Sequence, residues 1–104
     1  MTTIIYRSHK VETRGAAYAA SVGAAVHEFE TLPDAQAAVD AWIGAHRDAA
    51  LVAALEAVQG GASSSVEVYR ERGEVDMQMI DYALNELTRE GVLRSPAPFA
   101  WELA

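Results

Sequence analysis

The stretch Asp81–Leu103, DYALNELTREGVLRSPAPFAWEL, decides how the chain reads. Met77, Ile80, Leu84 and Leu87 lead into and through it at helical spacing, with Ala83 beside them. Asp76 stands where such a helix takes its N-cap. Gly91 supplies the left-handed residue of a C-cap, and Val92 is placed for the apolar contact that accompanies it. VLRS then predicts a short strand and PAP a turn. FAWEL predicts a second strand with Phe99, Trp101 and Leu103 on one half-buried face.

Upstream, SSSVEVYRERG carries Ser64 and Glu67 at capping-box spacing and Gly73 as a stop. A short helix is the preferred reading, although Val66, Val68 and Tyr69 would also suit a strand. HRDAALVAALEAVQGG is helical, with Leu51, Val52, Leu55 and Val58 as its apolar set and Gly60–Gly61 as its end. TLPDAQAAVDAWIGA opens with Thr31 and Asp34 at capping spacing and Pro33 in the first turn. Its apolar face is Ala35, Ala38, Val39, Trp42 and Ile43. Gly44 could stop that helix, or one helix could run from Pro33 to Gln59; the sequence leaves both open. At the N-terminus, TIIYRSH (Thr3 to His9) reads as a strand and KVETRG as a turn or loop. AAYAASVGAAVHEFE reads as a hairpin turning near Gly23, with helix as the competing reading for Ala16 to Val22.

These elements predict an α+β chain of 104 residues folding as a single compact domain. Residues 1–46 would form a small antiparallel β-sheet with a helix. Residues 47–104 would form a compact helical unit ending in a short β-hairpin. Apolar residues make up 51% of the chain, and alanine roughly a fifth. The absence of cysteine excludes disulfides, thiolate metal sites and cysteine nucleophiles. No apolar run reaches the ~18 residues of a membrane span, and the first residues lack a signal-peptide pattern. A cytoplasmic protein is the expectation.

The formal net charge is −7. Residues 1–46 carry three basic and five acidic side chains; residues 47–104 carry five basic and ten acidic. The acid therefore concentrates in the second half. Nucleic-acid binding draws most of its free energy from Lys and Arg neutralising phosphate, so this balance favours a basic partner, or a neutral one, ahead of nucleic acid.

IDYALNELTREGVLR resembles the third helix of winged helix-turn-helix domains, through Ala83, Leu84, Leu87, Gly91, Val92 and Leu93. The likeness covers a little over half the chain, with SSSVEVYRERG as the second helix and SPAP as the tip of a very small wing. It implies that the outward face of this helix enters the major groove. On that pattern the DNA-binding residues would be Gln78, Asn85, Arg89 and Arg94, with Asp81 and Thr88 also facing out. Glu74 and Asp76 would face phosphate, which is repulsive, and Arg94 is the only cation of the wing. Many winged-helix domains bind proteins instead. In that role Glu74, Asp76, Gln78, Asp81 and Asn85 would form the protein-binding surface.

Catalytic and metal motifs are not found. His9, His27 and His46 do not share the close spacing of zinc motifs, although His9 and His27 could lie on neighbouring strands. Glu28 and Glu30 in HEFE read as a solvated strand face before they read as an acid–base pair. Ser63–Ser65 lacks the glycines of a nucleophile elbow, and no Lys-Ser/Thr follows Gly60–Gly61. Trp42, Trp101, Phe29, Phe99 and Tyr69 read as core, with Trp101 alternatively an anchor for a partner. No enzyme activity, cofactor or metal is expected.

The leading functional expectation is an acidic protein-binding module that regulates or inhibits a partner with a basic surface, such as a nucleic-acid-binding complex. In size, acidity and lack of active-site motifs the chain is similar to small phage-encoded inhibitors, including anti-CRISPR proteins, with no shared motif. The alternatives are a winged-helix DNA-binding regulator acting as a dimer, and a homo-oligomeric assembly protein.

Overall fold

The computed structural model describes residues 2–23 and 25–104. The chain is α+β. Four strands come first: β1 (Thr3–Tyr6), β2 (His9–Arg14), β3 (Ala17–Val22) and β4 (Ala25–Phe29). Three helices follow: α1 (Leu32–Gln59), α2 (Ser65–Glu71) and α3 (Met77–Arg89). β5 (Leu93–Ala97) and β6 (Ala100–Leu103) close the chain. The fold divides into two compact units, one ending at His46 and one running from Arg47 to Ala104.

In the first unit β1 to β4 form an antiparallel meander in chain order. The register sets Ile4 opposite Val11, Val11 opposite Ala20 and Ala20 opposite His27. One face therefore collects His9, Val11, Ala20 and Val22, all buried. The first half of α1 contributes Ala35, Val39 and Ile43, also buried. Thr31 Oγ1 accepts from the Asp34 N–H at 3.2 Å and caps that helix. Tyr6 Oη and Arg7 Nη1 reach the Asp40 carboxylate at 3.0 and 2.7 Å. At the β3–β4 turn Gly23 has φ +63, and a Cβ there would meet the Trp42 ring at 2.7 Å.

Two expectations for this unit are corrected. Residues 10–14 of KVETRG are not loop but part of strand β2. Gly15 does turn, with Ala16, between β2 and β3, and a further turn interrupts the strand expected over Thr3 to His9 at Arg7 (φ 49) and Ser8 (φ 69), where two successive positive φ angles match the right-handed twist of a hairpin. Arg-Ser carries no signal of that turn, since Asn-Gly or Asp-Gly is its ordinary sequence. His9 and His27 are not on neighbouring strands either, because β3 lies between β2 and β4. The hairpin about Gly23 is present, and the helical reading of Ala16 to Val22 is not realised.

Helix α1 is unbroken through Gly44. The half of α1 in the first unit buries Ala35, Val39 and Ile43; the half in the second unit buries Ala50, Ala53, Ala54 and Ala57. The apolar set expected for the second half is thereby corrected. Val58 is buried, Leu51 and Leu55 are only half-buried, and Val52 is exposed. The helix ends in a Schellman turn. Gly61 N–H donates to Val58 O, and Ala62 N–H to Ala57 O, with Gly61 at φ +111.

In the second unit, Ser64 Oγ accepts from the Glu67 N–H and caps α2, while the Glu67 carboxylate takes the Ser63 N–H and hydroxyl at 3.2 Å. Asp76 caps α3 by accepting from Met79 N–H at 3.1 Å. A second Schellman turn ends α3, with Gly91 N–H on Thr88 O and Val92 N–H on Leu87 O. The core here is Val68, Met79, Ile80, Tyr82, Ala83, Leu84, Leu87, Leu93 and Trp101. Trp101 is thus a core residue. Its backbone N–H donates to Ser63 O at 2.9 Å and ties β6 to the segment between α1 and α2.

The hairpin corrects one more expectation. Pro96 and Ala97 belong to β5, and the turn is Pro98–Phe99. Phe99 does not share a half-buried face with Trp101 and is not core: it sits at the tip with φ 60, 85% exposed. Tyr69, also read as core, is exposed. A left-handed aromatic residue costs roughly 1–2 kcal/mol of backbone strain.

Candidate functional site

Helix α3 is strongly amphipathic, and its buried side fixes which residues face outward. With Ile80, Ala83, Leu84 and Leu87 inside, Gln78, Asp81, Asn85 and Arg89 follow one another by three and four residues along the other side. Asn85 and Arg89 are exposed; Gln78 and Asp81 are half-buried. Burial raises the Asp81 carboxyl above the ordinary aspartate range, and a hydrogen bond from Ser65 partly offsets it.

Two of the predicted outward residues are occupied by the fold itself. Asp76 is committed to its cap, and Thr88 Oγ1 donates to Leu84 O at 2.7 Å. Glu74 is exposed in the α2–α3 turn beside Arg72, whose Nε lies 3.3 Å away. Arg94 stands on β5 of the hairpin.

The arginines of this unit decide its electrostatics. Arg94 Nε donates to Glu102 Oε1 at 2.7 Å. Arg89 Nη2 lies 2.9 Å from Glu86 Oε2. Arg47 approaches Glu86 at 3.4 Å and Glu90 at 3.5 Å. Hydrogen bonding to Tyr82, and then to Glu86, raises the Arg47 pKa still further above its ordinary value. Arg72 Nη2 meets Glu56 at 3.0 Å. Among the described residues, Arg70 alone of the five arginines from Arg47 onward has no carboxylate within ion-pair distance. Exposed pairs such as these contribute little to stability. Their effect on the outward field is larger, because each cancels a cation that phosphate would need.

Sequence reasoning missed Phe99 and Ser95. Ser95 Oγ lies 2.8 Å from both Ala97 O and Ala100 O and donates across the hairpin tip. A serine between Arg and Pro gives no hint of this, and the alternation of FAWEL hides the exposure of Phe99.

Among the described residues, no group of three or more His, Asp or Glu side chains could hold a metal ion. No helix among them is long and apolar enough to cross a membrane. A scan against protein-family models finds no match, and neither curated proteins nor solved structures give one.

Proposed function

We propose that the chain is a non-enzymatic, acidic protein-binding module that regulates or inhibits a partner with a basic surface, such as a nucleic-acid-binding complex. The observation that carries this reading is the pairing of four of the five arginines in the second unit with carboxylates. The unit holds ten acidic residues against these five cations. Its exposed field is therefore negative, and a Lys- or Arg-rich protein surface is its natural complement. Glu74, Asp81 and Asn85 on the α2–α3 turn and outer face of α3 would meet that surface, flanked by Gln78.

The order of α1, α2, α3 and hairpin, with Trp101 backbone N–H bound to Ser63 O, supports a winged-helix-like arrangement of this unit. It also supports a second reading, a DNA-binding regulator acting as a dimer. The outward amides of Gln78 and Asn85 favour that reading, since both can pair with adenine; the charge balance opposes it.

Fluorescence anisotropy with mixed-sequence duplex DNA at low salt, run beside capture of a cellular protein and its reconstitution from purified material, separates the two. The protein-binding reading expects no DNA affinity and a protein complex that weakens with salt and with Glu74→Lys/Asp81→Lys. DNA affinity that falls steeply with salt would favour the regulator instead.

A further inference from the structure

We infer that Phe99, at the tip of the β5–β6 hairpin, is the anchor by which this unit docks into an apolar pocket of a protein partner; the inference rests on the protein-binding reading above. Phe99 is 85% exposed, more than any other large apolar side chain among the described residues. Its φ of 60 lies in the left-handed region that aromatic residues avoid and that Gly, Asn or Asp would fill with less strain. It gives the free chain neither burial nor turn propensity. Both features count against the isolated fold, and both are offset where a partner covers the ring.

The hairpin holds that ring ready. Ser95 Oγ lies 2.8 Å from the carbonyls of both Ala97 and Ala100, which share its one hydroxyl hydrogen. Arg94 and Glu102 brace the two strands at 2.7 Å. Buried Trp101 roots β6 through its backbone N–H on Ser63 O. An aromatic side chain on a pre-ordered support loses little conformational freedom on binding, which is what makes such residues dominate interfaces.

Charge selects the class of partner. A ring of this kind could also wedge between DNA bases or enter a bilayer. Here it is mounted on a unit with twice as many acids as bases, which phosphate and anionic lipid both repel. A protein pocket edged with Lys and Arg is attracted by the same field.

The test compares purified wild type with Phe99→Ala, Phe99→Gly and Glu74→Lys/Asp81→Lys. In thermal melts Phe99→Gly is expected to unfold at or above the wild-type temperature; a fall of several degrees would show that Phe99 serves the fold and would overturn the inference. The protein retained by immobilised wild type is then purified and its Kd measured by calorimetry. Phe99→Ala is expected to weaken binding about 30-fold or more at every salt concentration. The charge reversal is expected to weaken it in a salt-dependent manner. Wild-type affinity in Phe99→Ala, with loss in the charge reversal, overturns the anchor and leaves the protein-binding reading standing. Loss in Phe99→Ala alone keeps the anchor and removes the electrostatic reading. If wild type retains no protein, both fall. Binding to mixed-sequence duplex DNA or to phosphatidylserine vesicles that Phe99→Ala abolishes assigns the tip to that surface and overturns the inference.

Discussion

Arg94 Nε donates to Glu102 Oε1 at 2.7 Å across the β5–β6 hairpin, so the only cation of that hairpin is already matched by a carboxylate. The same holds one element earlier, where Glu86 takes both Arg89 and Arg47. Removing these carboxylates should uncover latent affinity for polyanions. Wild type is expected to show no binding to duplex DNA at low salt. Glu86→Gln/Glu102→Gln, which unties Arg89 and Arg94, is expected to gain weak binding that disappears as salt rises. Anisotropy with a labelled duplex checks both; an unchanged double variant would show that the pairing is not what suppresses DNA binding.

Gly23 makes a second prediction. Any side chain there must adopt φ near +63 and displace the Trp42 ring, 2.7 Å from the would-be Cβ. Gly23→Ala should therefore cost roughly 2–4 kcal/mol, combining left-handed strain with overpacking. Gly15 has nearly the same φ and nothing within 4 Å, so Gly15→Ala should cost only about 1 kcal/mol. Urea unfolding of the pair separates strain from collision, and equal losses would exclude the collision.

Two aspartates should act on stability with opposite sign. The Asp40 carboxyl is held below its ordinary range, first by the hydrogen bond from Arg7 and then by that from Tyr6. Its contribution is present above the unfolded aspartate value of about 3.9 and is lost as pH falls through the folded one. Asp81 is raised by burial, so its contribution is present below the unfolded value and is lost as pH rises through the folded one. At neutral pH the charged Asp81 is a burden. Asp81→Asn is expected to raise the urea midpoint at pH 7 and to match wild type near pH 3. Asp40→Asn is expected to lower it at pH 7 and to converge with wild type in acid. A lowered midpoint for Asp81→Asn at pH 7 would contradict the assignment.

Helix α3 should separate fold from function residue by residue. Leu84 is fully buried, and Leu84→Ala should cost about 2–5 kcal/mol. Asn85, its exposed neighbour, should tolerate Ala within about 0.5 kcal/mol. Partner affinity lost in Asn85→Ala with an unchanged melting temperature would place Asn85 in the interface; unchanged affinity would remove it.

Most of the α3-to-hairpin region was legible because its signals are local. Asp76, Ser64 and Gly91 each act within one helical turn, and the structure realises all three caps. What was hidden depended on the backbone elsewhere. Met79 and Tyr82 are buried because α3 packs on more than one side, which the Met77–Ile80–Leu84–Leu87 pattern alone does not express. The β1–β2 turn was invisible because Arg7 and Ser8 adopt positive φ without the usual residues. Phe99 was misplaced because two-residue alternation predicts a face only while the strand lasts, and the chain reverses at Pro98–Phe99. Of the candidate site, the outward stripe on α3 could be read from spacing. Of the arginine pairs, only Glu86 with Arg89 stands at helical i,i+3 spacing; those of Arg47 with Glu86 and Glu90, Arg72 with Glu56 and Arg94 with Glu102 join residues that the fold brings together and could not be read.

The second half of α1 buries Ala50, Ala53, Ala54 and Ala57, side chains that are already the smallest a chiral residue can carry. A scan that replaces each residue by alanine is blind along this edge and would report it as inert. The sensitivity runs the other way: growth, not truncation, is what side chains already closed off from solvent cannot absorb. Mapping this segment calls for Val or Leu in place of alanine, and a library confined to shrinking substitutions would mistake a fully buried edge for a permissive one.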